Sequence, residues 1–85
     1  MRIKAAAILY KGKIYEGRRH CEIGLKMLAD GACGRPYPGG KAQGFVTDAG
    51  EFVGRADALT IAIAAGQVVK GKTHHPNHLF SEDLP

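Results

Sequence analysis

The hydrophobic pattern divides the N-terminal part of the chain into two strands and a helix. Residues 2–9 carry apolar side chains at both alternating sets of positions, which is typical of a strand that is covered on both faces. The turn Lys11-Gly12-Lys13 leads into a returning strand at residues 14–17. A helix is predicted over residues 20–30, because its apolar positions recur at helical spacing and Gly31 is placed to end it.

The same order follows in the second half of the chain. After a loop rich in Gly and Pro at residues 31–42, the pattern predicts strands at residues 43–48 and 51–53 and then a helix. Residues 58–65 are apolar except for Thr60, so this helix has almost no side suited to water. Since 85 residues can hardly surround such a helix, we expect a second subunit to cover it.

A short repeat marks the two strand-to-helix junctions. Tyr15-Glu16-Gly17-Arg18 and Phe52-Val53-Gly54-Arg55 share the order aromatic, any residue, Gly, Arg, although four matched positions also fit coincidence. We predict an α+β fold in a single domain, residues 1–85. Two strand-strand-helix units, at residues 1–31 and 43–66, would form a small antiparallel sheet with two helices in an oligomer.

The end of the chain has a weaker pattern. Residues 67–69 fit an edge strand, residues 70–78 a mobile polar loop, and residues 79–85 a C-terminal arm whose apolar side chains dock on the body or on a neighbouring subunit. Zinc is conceivable in the loop, but a solvated loop is favoured and we expect no metal, because no paired metal motif accompanies the candidate ligands. These candidates are His74, His75, His78, Cys21 and Cys33.

Charge narrows the class of partner only slightly. The formal net charge is +4, from 12 Lys and Arg against 8 Asp and Glu, which suits a phosphate, a nucleotide or nucleic acid but also an ordinary soluble domain. The first apolar run is too short for a signal peptide or a membrane span. Two cysteines make no disulfide framework, so we expect a cytoplasmic protein with reduced thiols.

The two Gly-Arg junctions are the best candidates for anion binding. Glycine allows a sharp turn, arginine offers a planar fork for phosphate oxygens, and a helix N-terminus adds partial positive charge. For Arg18, Arg19 and His20 a ligand is favoured, because clustered cations repel one another unless an anion is near. For Arg55, ligand binding and a structural bond to a carboxylate such as Asp57 or Asp48 stay open.

The remaining candidates divide between stacking and catalysis. Phe45 and Tyr37 are open to stacking on a base, whereas core packing is favoured for Phe52 and Tyr15. No nucleophile has an evident base, and the carboxylate pair near the C-terminus lies in a tail. We therefore expect neither enzymatic activity nor a cofactor.

Three segments, at residues 17–20, 43–67 and 79–84, carry a family resemblance. Their sequences, GRRH, QGFVTDAGEFVGRADALTIAIAAGQ and LFSEDL, resemble a family of small phage and prophage proteins. That family looks like the first-described Thoeris anti-defence proteins. Those are sponges that sequester cyclic ADP-ribose signals made by bacterial TIR enzymes, and some also trap cyclic oligonucleotides.

The resemblance implies a binding protein that holds a cyclic nucleotide without cleaving it, as a homodimer or larger homo-oligomer in the host bacterial cell. It implies candidate contacts at Arg18, Arg19, His20, Phe45 and Arg55. In this chain Gly54 stands where relatives often carry an acidic residue, which puts the role of Arg55 in doubt. The alternative is a small basic nucleic-acid-binding protein that uses its N-terminal Lys and Arg residues on phosphates.

Overall fold

Four strands form one antiparallel sheet in the order β2-β1-β3-β4 in the computed structural model, which describes residues 1–85. Two helices complete the α+β fold, so the predicted fold class is confirmed. The elements are β1 (Ile3–Tyr10), β2 (Lys13–Gly17), α1 (His20–Ala29), β3 (Gln43–Thr47), β4 (Phe52–Val53) and α2 (Arg55–Ala64), with 3₁₀ turns at Gly40–Ala42 and Ser81–Asp83. Neither helix is long and apolar enough to cross a membrane.

The first hairpin is closed by a two-residue turn. Lys11 and Gly12 have φ angles of 50° and 78°, as the type I′ turn requires. Lys13 already belongs to β2 and lies opposite Tyr10. This turn matches the right-handed twist of the two strands, so the hairpin needs no longer loop.

The two hairpins join side by side through β1 and β3, and each helix follows the outer strand of its own hairpin. Ala6, Ile8 and Phe45 project from one face of the sheet. They belong to the same buried cluster as residues of both helices, so both helices pack on that face. The cluster comprises Ile3, Ala6, Ile8, Ile23, Met27, Phe45, Ala58, Leu59, Ala62 and Leu79.

Within one subunit, helix α2 is only partly buried. Ala58, Leu59 and Ala62 are buried against the sheet. Ala56 and Ala64 are exposed on the other side, together with Thr60. A methyl group adds little apolar area, so an alanine-rich face tolerates water where larger side chains would not. The sheet of the same subunit therefore covers only one side of α2, and the second subunit expected over the other side stays a prediction.

The predicted edge strand at residues 67–69 is also wrong. The side chain of Gln67 takes the place of a strand there, because β2 ends opposite Ala6 and leaves Ile3 without a partner on that side. The Gln67 Nε2 donates to the Ile3 carbonyl at 2.8 Å, and its Oε1 accepts from the Ile3 N–H at 2.7 Å. One amide side chain thus satisfies both backbone groups at the free edge of β1.

The opposite face of the sheet carries no helix. The strand register puts Ala5, Leu9, Ile14 and Phe52 on this face, together with the buried Val46. Leu9 is 37% exposed, and Ala5, Ile14 and Phe52 are half-buried. This face of the sheet therefore carries exposed apolar surface in addition to that of Leu25 on α1 and of Val69, which are 60% and 62% exposed.

Candidate functional site

The C-terminal arm docks on the body beside the starts of both helices. Leu79 is fully buried and Ser81 is 1% exposed. The Arg19 Nη1 donates to the Ser81 carbonyl at 2.8 Å, and its Nη2 donates to the Leu84 carbonyl at 3.2 Å. The arm therefore packs against the body of its own subunit, and the Arg19 guanidinium donates its hydrogen bonds to backbone carbonyl oxygens.

Arg55 holds the other end of the same arm. Its Nη1 donates to the Leu79 carbonyl at 3.0 Å, and its Nη2 donates to the Gln43 Oε1 at 2.8 Å. The guanidinium also lies over the Phe80 ring, 4.7 Å from the centroid. No carboxylate forms an ion pair with it, so the expected alternative of a bond to Asp57 or Asp48 is wrong. Its fixed position depends on neutral acceptors and an aromatic face.

His20 lies beneath Arg55 and is buried, with 6% of its surface exposed. Its Nε2 is 2.7 Å from the Gly44 carbonyl and therefore carries the proton, which leaves Nδ1 to accept from the Arg55 Nη2 at 3.5 Å. Burial lowers the pKa of His20, and the nearby Arg55 charge adds to this against the opposing effect of the Gly44 hydrogen bond. The ring is thus neutral at pH 7 and positions Arg55 as an acceptor.

Arg55 lines a groove of about 730 Å³, which we call the Arg55 groove. Its size is that of a small-molecule site. The wall contains two cationic side chains, two phenyl rings and the first turn of α2, whose N–H groups receive no side-chain cap. The lining residues are Gly40, Lys41, Gln43, Phe52, Gly54, Arg55, Ala56, Asp57, His78 and Phe80.

Arg18 lies in a different place, in a groove of about 550 Å³ that we call the Arg18 groove. Arg2 and Lys4 line this groove as well. Lys4 pairs with Glu16 at 3.2 Å, whereas the exposed Arg18 side chain forms neither an ion pair nor a hydrogen bond. This open groove therefore combines three cationic side chains with the Asp48 carboxylate and the C-terminal residue Pro85, and it shares no lining residue with the Arg55 groove.

The three predicted residues Arg18, Arg19 and His20 thus do not form one cationic cluster. Arg19 has extended backbone, with φ −133° and ψ 145°, just before α1 begins. Successive side chains on extended backbone point in opposite directions. Arg18 therefore reaches the open groove and Arg19 the C-terminal arm, while His20, as the first residue of α1, enters the core as a neutral ring. The repulsion argument for an anion at this junction is not supported.

Two aromatic candidates lie in environments opposite to those expected: Phe45 lies in the core, and Phe52 lines the Arg55 groove. Phe45 is fully buried and meets the His20 ring edge-on at 5.2 Å, so it serves the core beneath the groove. Phe52 is half-buried and lines the Arg55 groove, and Tyr37 packs over Gly24 of α1. Alternation alone could not predict this, because it says which residues share a face but not which face the helices cover.

Sequence reasoning did not include Lys41, Phe80 and His78 among the ligand contacts. Lys41 lies in an irregular loop, and Phe80 and His78 come from the C-terminal region, so no periodic signal connects them to α2. The histidines do not gather around a metal position. His75 and His78 stack at 4.7 Å, His74 bonds to Asp83, and no group of three His, Cys, Asp or Glu side chains is arranged to hold a metal ion.

A family model described as phage T4 y16D protein matches residues 2–84. The chain belongs to the phage T4 y16D protein family. The match spans both hairpins, both helices and the C-terminal arm. No curated protein and no solved structure matches the chain. The expected membership of a small phage protein family is thereby confirmed, and the y16D description brings no ligand with it, so the use of the grooves has to be argued from their chemistry.

Proposed function

We propose that this y16D-family protein binds a cyclic nucleotide immune signal, such as a cyclic ADP-ribose isomer, and holds it without cleavage. It would thus act as a phage anti-defence sponge of the Thoeris type in the cytoplasm of the host cell. One observation carries the proposal. Arg55 presents a positive charge, unpaired by any carboxylate, on the wall of a groove of nucleotide size.

The Arg55 charge suits a phosphate group. Its bonds to Leu79 and Gln43 fix the guanidinium without neutralising it. Lys41 and the uncapped N–H groups at the start of α2 add further positive potential in the same groove. A pyrophosphate would receive several converging donors here, and the half-buried surroundings strengthen such contacts relative to open water.

The rest of the groove suits a nucleoside. Phe52 and Phe80 offer apolar ring surfaces on which a base can pack. Asp57 lines the same groove, and its carboxylate accepts hydrogen bonds without donating any. Ribose hydroxyls or an exocyclic amino group fit such an acceptor, whereas a phosphate group beyond the pyrophosphate, placed beside Asp57, would be repelled. The groove therefore favours a ribonucleotide over a simple polyanion.

Binding is favoured over cleavage because the groove lacks an assembled catalytic pair. His78, Asp57 and Lys41 are the lining groups able to transfer a proton, and no hydrogen bond or ion pair joins any two of them. Efficient acid–base or nucleophilic catalysis needs partners within hydrogen-bond reach of each other or of the substrate. A sponge needs only affinity and slow release.

The proposal includes a homodimer or larger homo-oligomer. The outer face of the sheet supports it, since Leu9, Ile14 and Phe52 leave apolar surface there. Phe52 belongs both to this face and to the Arg55 groove, so a second copy on the sheet would border the ligand. Leu9→Lys should give a monomer in analytical ultracentrifugation, whereas Leu25→Lys, at an exposed site on α1, should not. An unchanged mass for Leu9→Lys would remove this face from the proposal.

The direct test is calorimetric titration with cyclic ADP-ribose isomers and a panel of cyclic oligonucleotides. The complex is then heated and the released ligand is analysed. Intact release after stoichiometric binding supports a sponge, a chemically altered product indicates an enzyme, and no binding to any of them refutes the proposal. Lys41→Ala and Arg55→Lys should weaken binding by roughly tenfold or more, because each loses a charge-assisted contact. The matched control is Lys72→Ala, at an exposed lysine that lines no groove.

Nucleic-acid binding is the second candidate, and the Arg18 groove favours it. Arg2, Lys4 and Arg18 line this groove, and phosphate contacts of this kind are sequence-independent. The expected sign is an affinity for DNA or RNA that falls steeply with salt and weakens in Arg18→Ala. Cyclic nucleotide binding with no such salt-dependent interaction would dismiss this candidate.

A further inference from the structure

Part of the wall of the Arg55 groove is formed by a segment with little structure of its own. Phe80 lies in residues 79–84, which contain only the single 3₁₀ turn Ser81–Asp83. Phe80 is held from both sides, because Arg55 binds the carbonyl before it and Arg19 binds the carbonyls of Ser81 and Leu84 after it. We call residues 79–84 the clasped segment.

Arg19 binds the backbone of two residues that line the Arg18 groove, Arg18 and Leu84, but is not itself part of a groove wall. It lines neither the Arg55 groove nor the Arg18 groove. Its Nη1 also donates to the Arg18 carbonyl at 3.1 Å, so its guanidinium meets three backbone oxygens and no anion. A planar fork can bridge two carbonyls three residues apart, which a lysine ammonium on its flexible stem cannot do in the same way.

We propose that Arg19 is a positioning residue of the Arg55 groove and not a ligand contact. By clamping the carbonyls of Ser81 and Leu84, it keeps the clasped segment docked so that the Phe80 ring stays against Arg55. The wall that the ligand meets then exists before the ligand arrives, which lowers the ordering cost of binding. The proposal rests on the proposed function only where it speaks of a ligand.

The first arm of the test needs no ligand. Hydrogen exchange of the full-length protein reports two amides of the clasped segment: the Leu79 N–H, which donates to the Arg55 carbonyl of α2, and the Asp83 N–H, which donates to the Phe80 carbonyl. The Arg55 side-chain N–H signals in NMR report the guanidinium itself. Arg19→Ala should speed exchange at these amides by about tenfold or more and broaden the Arg55 signals, because charged hydrogen bonds to two carbonyls are lost. Arg19→Lys should lie between wild type and Arg19→Ala, and Arg18→Ala should match wild type.

The second arm is a double-mutant cycle with cyclic ADP-ribose as the probe. Arg19→Ala should weaken binding by about tenfold. If Arg19 acts through Phe80, the variant that combines Arg19→Ala with Phe80→Ala should bind no more weakly than Phe80→Ala alone, because Phe80 is already gone. Additive losses would overturn the proposal, since they would mean that Arg19 acts on the ligand independently of that wall.

The two arms separate the failure of this inference from the failure of the proposed function. Wild-type exchange and an unchanged Arg55 signal in Arg19→Ala would overturn the positioning role whatever binds in the groove. A wild-type protein that does not bind the probe refutes binding of that probe, while the exchange and NMR comparison still decides whether Arg19 positions the clasped segment and Arg55.

Discussion

The two strand-to-helix junctions share a sequence pattern and differ in what their arginines do. At the first junction β2 ends at Gly17, and α1 starts at His20 after the N-cap residue Arg19. At the second, Gly54 is itself the N-cap and Arg55 is the first helical residue. The helix thus begins two positions later, relative to the matched glycine, at the first junction than at the second. This offset decides which arginine faces solvent, which clamps the arm and which enters a groove.

The comparison teaches that the motif aromatic-x-Gly-Arg specifies a turn and not a site. Arg18 and Arg55 occupy matching positions in the motif, but Arg18 is exposed and Arg55 is fixed by Leu79, Gln43 and His20. Surrounding elements, above all the C-terminal arm, create the second environment. A site inferred from one junction therefore cannot be transferred to the other by sequence matching.

The largest predicted effect concerns the arm at the second junction. Leu79→Ala should destabilise the protein by about 2–5 kcal/mol, because it removes a fully buried leucine and leaves a cavity in the core. Leu84→Ala, at the half-buried end that meets the first junction, should cost less. Urea unfolding monitored by circular dichroism measures both. Equal losses in the free energy of unfolding would mean that both ends of the arm contribute equally to stability. The arm would then not distinguish the two junctions.

The next effect separates the matching arginines. Arg55→Met should cost about 1–3 kcal/mol, since the acceptors on Leu79, Gln43 and His20 lose their donor in a half-buried place. Arg18→Met should change the free energy of unfolding by less than about 0.5 kcal/mol, as is usual for an exposed side chain without partners. The two variants carry the same substitution, so the difference isolates the environment. Similar losses would show that the motif itself, and not its surroundings, sets the role of the arginine.

These contacts also show how far the sequence could lead. The strands and helices follow from local patterns, because alternation, turn residues and helical spacing act within a few positions. The clamp does not, since Arg19 meets Ser81 across 62 positions of sequence and through a backbone oxygen that every residue possesses. Lys41 and Phe80 reach the groove by the same non-local route. The sequence identified Arg55 as a candidate but could not predict the wall around it.

Acidification should weaken the second junction through His20. Burial lowers the pKa of His20 in the folded protein below its ordinary value of 6.5, so between these two pKa values the unfolded chain binds more protons. Stability is therefore fully present above pH 6.5 and falls as the pH drops below it, by at most about 1.4 kcal/mol per pH unit. Protonation would also remove the Nδ1 acceptor for Arg55.

The check on this pH dependence is urea unfolding between pH 7.5 and 5, compared with His20→Gln. This variant should be less stable overall and should lose the slope, whereas His78→Gln, at an exposed position, should keep it. The carboxyl group of Asp83 does not contribute to this slope. Burial raises the pKa of Asp83, but hydrogen bonds from His74 and Phe80 outweigh it and lower the pKa below 3.8, so its stabilisation is lost only under stronger acid. An unchanged slope in His20→Gln would assign the effect to another group.

The variant with the smallest expected effect on stability is the one that best distinguishes the two candidate functions. Arg18→Ala should leave both the free energy of unfolding and the affinity for a cyclic nucleotide within error of wild type, because Arg18 lies in its own groove and its exposed side chain forms no hydrogen bond or ion pair. If nucleic acid is the partner instead, the same variant should lower the affinity for DNA or RNA and reduce the slope of log affinity against log salt by about 0.7–0.9. Fluorescence anisotropy over a salt series, with Lys72→Ala as the matched loss of one exposed charge, distinguishes the two outcomes. A large loss of cyclic nucleotide affinity in Arg18→Ala would mean that one ligand contacts both the Arg18 and the Arg55 grooves. Because these grooves are separate within one subunit, the two grooves would then belong to neighbouring subunits of an oligomer.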